Sequence, residues 1–82
     1  MTMIKARVYV TLKKSVFDPQ GETIHGALAS MGYKEVTEVR QGKFFEIDLE
    51  GPVEKARAQL EEMARRVLSN PVIESYRVEV EG

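Results

Sequence analysis

IKARVYVTL, residues 4–12, is a segment in which apolar and polar side chains alternate at every position. Because successive side chains of a β-strand point to opposite faces of a sheet, this period of two predicts a strand with one face on a core. The apolar row consists of Ile4, Ala6, Val8, Val10 and Leu12. We expect this row to be buried, with Lys5, Arg7 and Tyr9 on the opposite face.

A first helix is predicted to begin near Pro19. Asp18 is suited to accept the free N–H groups of a helix start, and proline has its φ preset for the first helical position. Apolar side chains then recur at spacings of four and three residues, which is typical of a helix with a narrow apolar stripe. The stripe consists of Ile24, Leu28 and Met31. Gly32 follows as a predicted left-handed cap at the end of this helix.

A β-hairpin is predicted in the middle of the chain. Residues 36–40 and 43–50 are strand-like and flank Gln41-Gly42. A two-residue hairpin turn needs positive φ, which glycine tolerates. We therefore expect two antiparallel strands here, with Phe45, Ile47 and Leu49 of the second strand facing inward.

A second helix and a last strand complete the pattern. Apolar residues follow helical spacing from Val53 to Leu68, and the Ser69-Asn70-Pro71 sequence ends the helix because a residue before proline avoids helical φ and ψ. From Val72 onward the apolar residues alternate with charged ones, which predicts a strand.

The predicted order is β-α-β-β-α-β in a single domain over residues 1–82. This order is typical of the α+β ferredoxin-like arrangement, a four-stranded antiparallel sheet with two helices on one face. The alternative is a strand-sharing variant, in which the two middle strands form one long bent ribbon shared between subunits. Since 82 residues build only a modest core, we expect an oligomer.

The composition argues against several classes of function. With 12 basic and 13 acidic side chains the net charge is −1, so nucleic acid is disfavoured as a partner. The chain has no cysteine and one histidine, His25, which leaves no thiol nucleophile and no metal-ligand set. We expect His25 to be a surface or interface residue. Neither a signal peptide nor a membrane anchor is evident, so we expect a cytoplasmic protein that does not bind membranes.

The glycines and the predicted outer face of the sheet also carry information. Gly21, Gly26 and Gly32 are spaced five and six residues apart and match neither a dinucleotide fingerprint nor a P-loop. The sequence QGKFF at residues 41–45 is only weakly similar to the aromatic motif of RNA-binding sheets. The mixture of charged and aromatic residues on the outer face favours a polar protein interface instead.

Five segments of the chain are distinctive as a set. They are VYVTLK (8–13), VFDPQG (16–21), AL (27–28) with MGY (31–33), VRQGKFFE (39–46) and NPVIESY (70–76). Together, in one order and without insertions over almost the whole chain, they resemble the PurS family. Met31 is a small departure, because the family usually has Leu at that position.

The resemblance implies that the chain is the small, non-catalytic subunit of phosphoribosylformylglycinamidine (FGAM) synthase in purine biosynthesis. A separate PurQ-type glutaminase subunit would release ammonia, and a separate PurL-type synthetase subunit would use ATP and Mg to install it on formylglycinamide ribonucleotide. The small subunit would be a homodimer or homotetramer that brings the two together for ammonia transfer. The resemblance implies no cofactor in this chain.

We expect two surface segments to bind the partner subunits, because both have special backbone chemistry in loops. They are the helix start with Asp18, Gln20 and Gly21 and the hairpin tip with Arg40, Gln41, Gly42 and Lys43. A capping role for Asp18 and a turn role for Gly42 account for the same residues about equally well. No residue is predicted to be catalytic.

Two other classes of function remain open. The first is a small-molecule-binding regulatory domain of ferredoxin-like fold, which would bind its ligand at a dimer interface near the first helix. The second is an acylphosphatase-like enzyme, which would need an arginine in the loop before the first helix. That loop reads KKSVF at residues 13–17, so the second class is disfavoured.

Overall fold

The computed structural model of the protein describes residues 3–81. In chain order the elements are strand β1 (Met3–Leu12), helix α1 (Pro19–Ser30), strand β2 (Gly42–Glu50), helix α2 (Val53–Met63) with a π-helical extension (Ala64–Leu68), and strand β3 (Glu74–Glu81). The described residues therefore form an α+β fold with two α-helices and three strands.

β1 is the central strand of the sheet, and both neighbours run antiparallel to it in the order β2-β1-β3. The register places Val8 opposite Phe45 of β2 and opposite Val78 of β3. The predicted apolar row of β1 is buried from Ile4 to Val10. We call the side of the sheet that carries this row the inner face.

The opposite side is the outer sheet face. It consists of Met3, Lys5, Arg7, Tyr9 and Thr11 of β1, Gly42, Phe44, Glu46, Asp48 and Glu50 of β2, and Ser75, Arg77, Glu79 and Glu81 of β3. No helix of the described chain packs over these residues, since α2 lies on the inner face and α1 makes only slight contact with the sheet.

α2 covers the inner face through a row of small and branched side chains. Leu60 is fully buried, and the flanking Ala56 and Ala64 let the helix approach the sheet closely. Phe45 and Ile47 of β2 pack against this core, as the alternation in their strand predicts. The predicted second helix is therefore confirmed.

The predicted hairpin across Gln41-Gly42 is wrong, and the four-stranded sheet is wrong for the single chain. Residues 36–41 pair with no strand within residues 3–81, and Gly42 does not have a positive φ. Instead, the backbone N–H of Gln41 donates to the carboxylate of Asp18. Because α1 and its cap supply partners for this segment, it follows the helix rather than a neighbouring strand.

The ends of α1 are as predicted, but its position is not. Asp18 is the N-cap and Gly32 has a φ of 101°. The helix makes only slight contact with the sheet, so the prediction of two helices on one face is wrong for the single chain. The physical reason is width: three strands span about 14 Å, which one helix of about 10 Å fills.

α1 and residues 33–41 together form an arm that extends from the sheet. The imidazole Nε2 of His25 lies 2.8 Å from the carbonyl oxygen of Val36 and ties the two parts of the arm together. The described chain measures 51 × 25 × 14 Å, which is markedly elongated. No helix within residues 3–81 has both the length and the apolar character needed to cross a membrane.

Candidate functional site

Asp18 lies at the junction between α1 and β2 and is only 6% exposed. Its Oδ1 accepts the backbone N–H of Gly21 at 2.9 Å, and its Oδ2 accepts the backbone N–H of Gln41 at 2.8 Å. One carboxylate therefore caps α1 and fastens the start of β2 to it.

The environment of Asp18 favours the charged form of its carboxyl group. The hydrogen bond from the Gln41 backbone is the main cause that holds the pKa of Asp18 below its ordinary value of 3.8. The hydrogen bond from Gly21 comes next, and the nearby charge of Arg40 also lowers this pKa. Asp18 is therefore ionised at neutral pH.

Arg40 closes the loop between β1 and α1. Its Nη2 donates to the carbonyl oxygens of Lys13 at 2.7 Å and Val16 at 3.0 Å, and lies 3.4 Å from that of Leu12. The guanidinium group thus ties this loop to the segment just before β2. The Nη2 group of Arg40 is therefore engaged in hydrogen bonds within the chain.

Glycine is required at two positions of the site because the backbone passes too close for a side chain. A Cβ atom at Gly21 would overlap the carbonyl oxygen of Val39, and one at Gly42 would overlap that of Val10. Close approach, rather than the positive φ expected at Gly42, is therefore the reason for glycine there.

Two polar pairs bridge the elements around the site. The side-chain amide of Gln41 donates to Oε1 of Gln20 at 2.9 Å, which joins the residue before β2 to the first turn of α1. Lys43 Nζ lies 3.5 Å from Oε2 of Glu74, which joins β2 to β3. Oε1 of Glu74 also accepts the backbone N–H of Asn70 at 2.7 Å, so this carboxylate is held in place.

These side chains surround an open cleft of about 240 Å³ at the end of the inner face. It is lined by Val10, Leu12, Asp18, Gln20, Gln41, Gly42, Lys43 and Glu74. The structure therefore brings the two predicted segments together into one site. Gly21 and Arg40 do not line the cleft: the backbone N–H of Gly21 donates to Asp18, and Arg40 donates to carbonyl oxygens of the loop that precedes Asp18.

Sequence reasoning missed Glu74 and the apolar floor formed by Val10 and Leu12. A signal was present in the strand patterns, because Lys43 and Glu74 are charged residues in phase with the buried rows of β2 and β3. A charged residue in a buried row at a strand end marks the limit of the core. The pairing of Glu74 with Leu12 required the register of the sheet.

The chemistry of the cleft is that of binding. It presents two carboxamides, one ammonium group and two carboxylates above an apolar floor. Within residues 3–81 no group of three or more His, Asp or Glu side chains is arranged to hold a metal ion. His25 lies on the arm, where its Nδ1 is 3.8 Å from Oε1 of Glu22, which lies three residues earlier on the same helix.

Comparison with known proteins gives one consistent result. Residues 5–82 match the PurS family, described as phosphoribosylformylglycinamidine (FGAM) synthase. The chain is 48% identical over 79 residues to the FGAM synthase subunit PurS of Bacillus subtilis, covering 96% of this chain and 94% of that protein. It is 44% identical over 80 residues to PurS of Methanocaldococcus jannaschii, covering 96% of each.

Solved structures agree with the sequence matches. The fold superposes on the structure of PurLQS from Thermotoga maritima with a TM-score of 0.90 and 32% identity, covering 99% of this chain and 100% of that chain. It superposes on B. subtilis PurS with a TM-score of 0.86 and 47% identity, covering 96% and 99% of the two chains. With sequence, fold and length all in agreement, the chain belongs to the PurS family of phosphoribosylformylglycinamidine (FGAM) synthase.

Proposed function

We propose that this chain acts as a non-catalytic bridging subunit of FGAM synthase in purine biosynthesis. It assembles with a PurL-type synthetase and a PurQ-type glutaminase, and it helps ammonia pass from the glutaminase to the synthetase. The observation that carries the proposal is the match over the full length of a chain in the T. maritima PurLQS structure.

The geometry of the molecule supports a role in assembly. The cleft around Asp18 is built of binding groups, and the elongated arm and the uncovered outer sheet face offer large surfaces for partners. Ammonia is small and becomes protonated in water, so its transfer needs a path between two sites that excludes water. A subunit that holds both partners in a fixed relation supplies that condition.

Within this complex we expect ATP and Mg on the synthetase subunit and no cofactor on this chain, in the cytoplasm. The two cleft segments, 18–21 and 40–43, are the proposed contacts with a partner subunit. Gln20, Gln41 and Lys43 present their polar groups at the cleft, whereas Asp18 and Arg40 support them from within.

Self-association is part of the proposal. Ile24, Met31 and Tyr33 on the arm are 40%, 72% and 53% exposed, which leaves apolar surface that a second copy would bury. The outer edges of β2 and β3 have no strand partner within residues 3–81. We propose a homodimer or homotetramer of the strand-sharing kind, in which residues 36–40 of one copy extend the sheet of another.

The test is glutamine-dependent synthesis of formylglycinamidine ribonucleotide by the cognate synthetase and glutaminase, with and without this chain. We expect glutamine to drive the reaction only when the chain is present, while free ammonia drives it in either case. If addition of the chain leaves the glutamine-dependent rate unchanged, the bridging role is wrong.

A further inference from the structure

Four side chains form a preorganised cluster on the outer sheet face. The hydroxyl group of Tyr9 donates to Oε1 of Glu79 at 3.0 Å, and Arg77 Nη1 lies 2.7 Å from Oε2 of the same carboxylate. The Arg77 guanidinium carbon lies 4.3 Å from the centroid of the Tyr9 ring. The rings of Tyr9 and Phe44 are tilted by 33° with centroids 5.1 Å apart. Each member is therefore held by at least one of the others.

Phe44 is the apolar member of this cluster that remains open to solvent. Its side chain is 51% exposed, although it is surrounded by polar and charged residues on the same face. Aromatic residues and arginine held in place on a polar surface are the composition of the energetic centre of protein interfaces. Because its neighbours are already held in place, burial of Phe44 against another protein would cost them little side-chain entropy.

The charge of the outer sheet face distinguishes between possible partners. Glu46, Asp48 and Glu50 form a row of carboxylates along β2, and none of them makes an ion pair with any residue of the described chain. The face as a whole carries five carboxylates against the cations Lys5, Arg7 and Arg77. Two copies that met through this face would each bring excess negative charge, which opposes their association.

We propose that the outer sheet face is the docking surface for a subunit of different sequence, one that receives Phe44 in an apolar pocket and presents Lys or Arg side chains to Glu46, Asp48 and Glu50. The assignment rests on the proposed function, because a bridging subunit needs a surface for unlike partners in addition to the arm that meets a second copy. The two surfaces lie on different parts of the molecule and are separable by mutation.

The test measures binding of the full chain to the purified cognate synthetase and glutaminase, each alone and as a mixture, by calorimetry. We expect Phe44→Ala to weaken binding to at least one of them by about tenfold or more. The double variant Glu46→Gln with Asp48→Asn is expected to weaken it less and to reduce its sensitivity to added salt. Val67→Ala and Glu62→Gln, both on exposed positions of the second helix and its extension, are the matched controls.

Self-association provides the second readout, measured by light scattering after chromatography. The proposal requires that Phe44→Ala keep the oligomeric state of the wild type. Loss of the oligomer in that variant, or binding to both partners at wild-type strength, overturns the docking assignment. If the wild-type chain binds neither subunit, the proposed bridging function fails together with it, whereas normal wild-type binding with unaffected variants removes only the docking assignment.

Discussion

Gly21 and Gly26 show how much a single residue depends on its neighbours. Both are interior positions of α1, and neither has a positive φ. Gly21 is buried where the backbone of Val39 crosses the helix, whereas Gly26 has no atom near the position of a Cβ. The same residue type therefore serves packing at one position and only weakens the helix at the other.

Alanine substitution is expected to have opposite effects at these two glycines. Gly21→Ala should lower the free energy of unfolding by about 1–3 kcal/mol because its methyl group overlaps the Val39 carbonyl. Gly26→Ala should raise it by about 0.5–1 kcal/mol through better helix propensity. Urea denaturation of both variants checks this pair, and a stabilised Gly21→Ala would contradict the close contact.

The lowered pKa of Asp18 predicts how the stability of the fold depends on pH. Its pKa is lower in the folded chain than its ordinary value of 3.8, mainly because of the hydrogen bond from Gln41. The stabilisation is therefore fully present above that ordinary value and is lost as the pH falls through the lower, folded value. We expect Asp18→Asn to be less stable than the wild type near neutral pH and to lose less stability on acidification.

Thermal melting over a series of pH values measures this difference. Asp48→Asn is a suitable control, because Asp48 is exposed and makes no ion pair within residues 3–81. If the melting temperatures of the wild type and of Asp18→Asn fall equally on acidification, Asp18 does not contribute to the loss of stability at low pH.

At the scale of elements, α2 and α1 differ in what stabilises them. α2 is held by burial of Ala56, Leu60 and Ala64 on the sheet. α1 is held at its start by the Asp18 cap and along its length by residues 33–41, and its apolar stripe remains partly open. The stability of the single chain should therefore depend far more on α2 than on the stripe of α1.

Leu60→Ala tests the role of α2. Leu60 is 0% exposed, and the cavity left by its truncation should lower the free energy of unfolding by about 2–5 kcal/mol. Val67→Ala, at a position 78% exposed in the π-helical extension, should change it by less than about 0.5 kcal/mol. Equal midpoints in urea for the two variants would contradict the observed packing of α2.

At the scale of the whole molecule, the long shape separates two kinds of surface. A chain with extents of 51 × 25 × 14 Å leaves the arm outside the core that α2 and the sheet build. The arm exposes the large apolar side chains of Ile24, Met31 and Tyr33 among polar ones, while the outer sheet face is mostly charged. Apolar surface suits a permanent contact with a second copy, and charged surface suits an unlike partner.

Disruption of the arm should dissociate the oligomer without unfolding the chain. Ile24→Glu combined with Met31→Glu places two charges on the exposed stripe of α1, and we expect a monomer by light scattering with secondary structure retained by circular dichroism. Val67→Glu places a charge on the exposed π-helical extension of α2, away from the arm, and should leave the oligomer intact. An unchanged oligomer in the double variant would remove the arm from the self-association surface.

Local patterns in the amino-acid sequence were sufficient for the two helices and for the three strands that form, but they also predicted a strand at residues 36–40 that the structure does not contain. The alternation in residues 4–12 predicted the buried row of β1, and Asp18 with Pro19 predicted the start of α1. The helical spacing after Val53 predicted α2. These features depend on residues only a few positions apart in the sequence, so the spacing of residue types is enough to predict them. The five family-like segments also pointed to the PurS family.

The route of residues 36–41 and the composition of the cleft became known only from the folded chain. The hydrogen bond from Gln41 to Asp18 spans 23 residues, and Glu74 meets Lys43 only through the register of three strands. Periodicity reports that a face is apolar, but it does not report which element or which chain covers that face. For this reason the stripe of α1 was assigned to the sheet, whereas contacts distant in sequence carry it away from the sheet and into the arm.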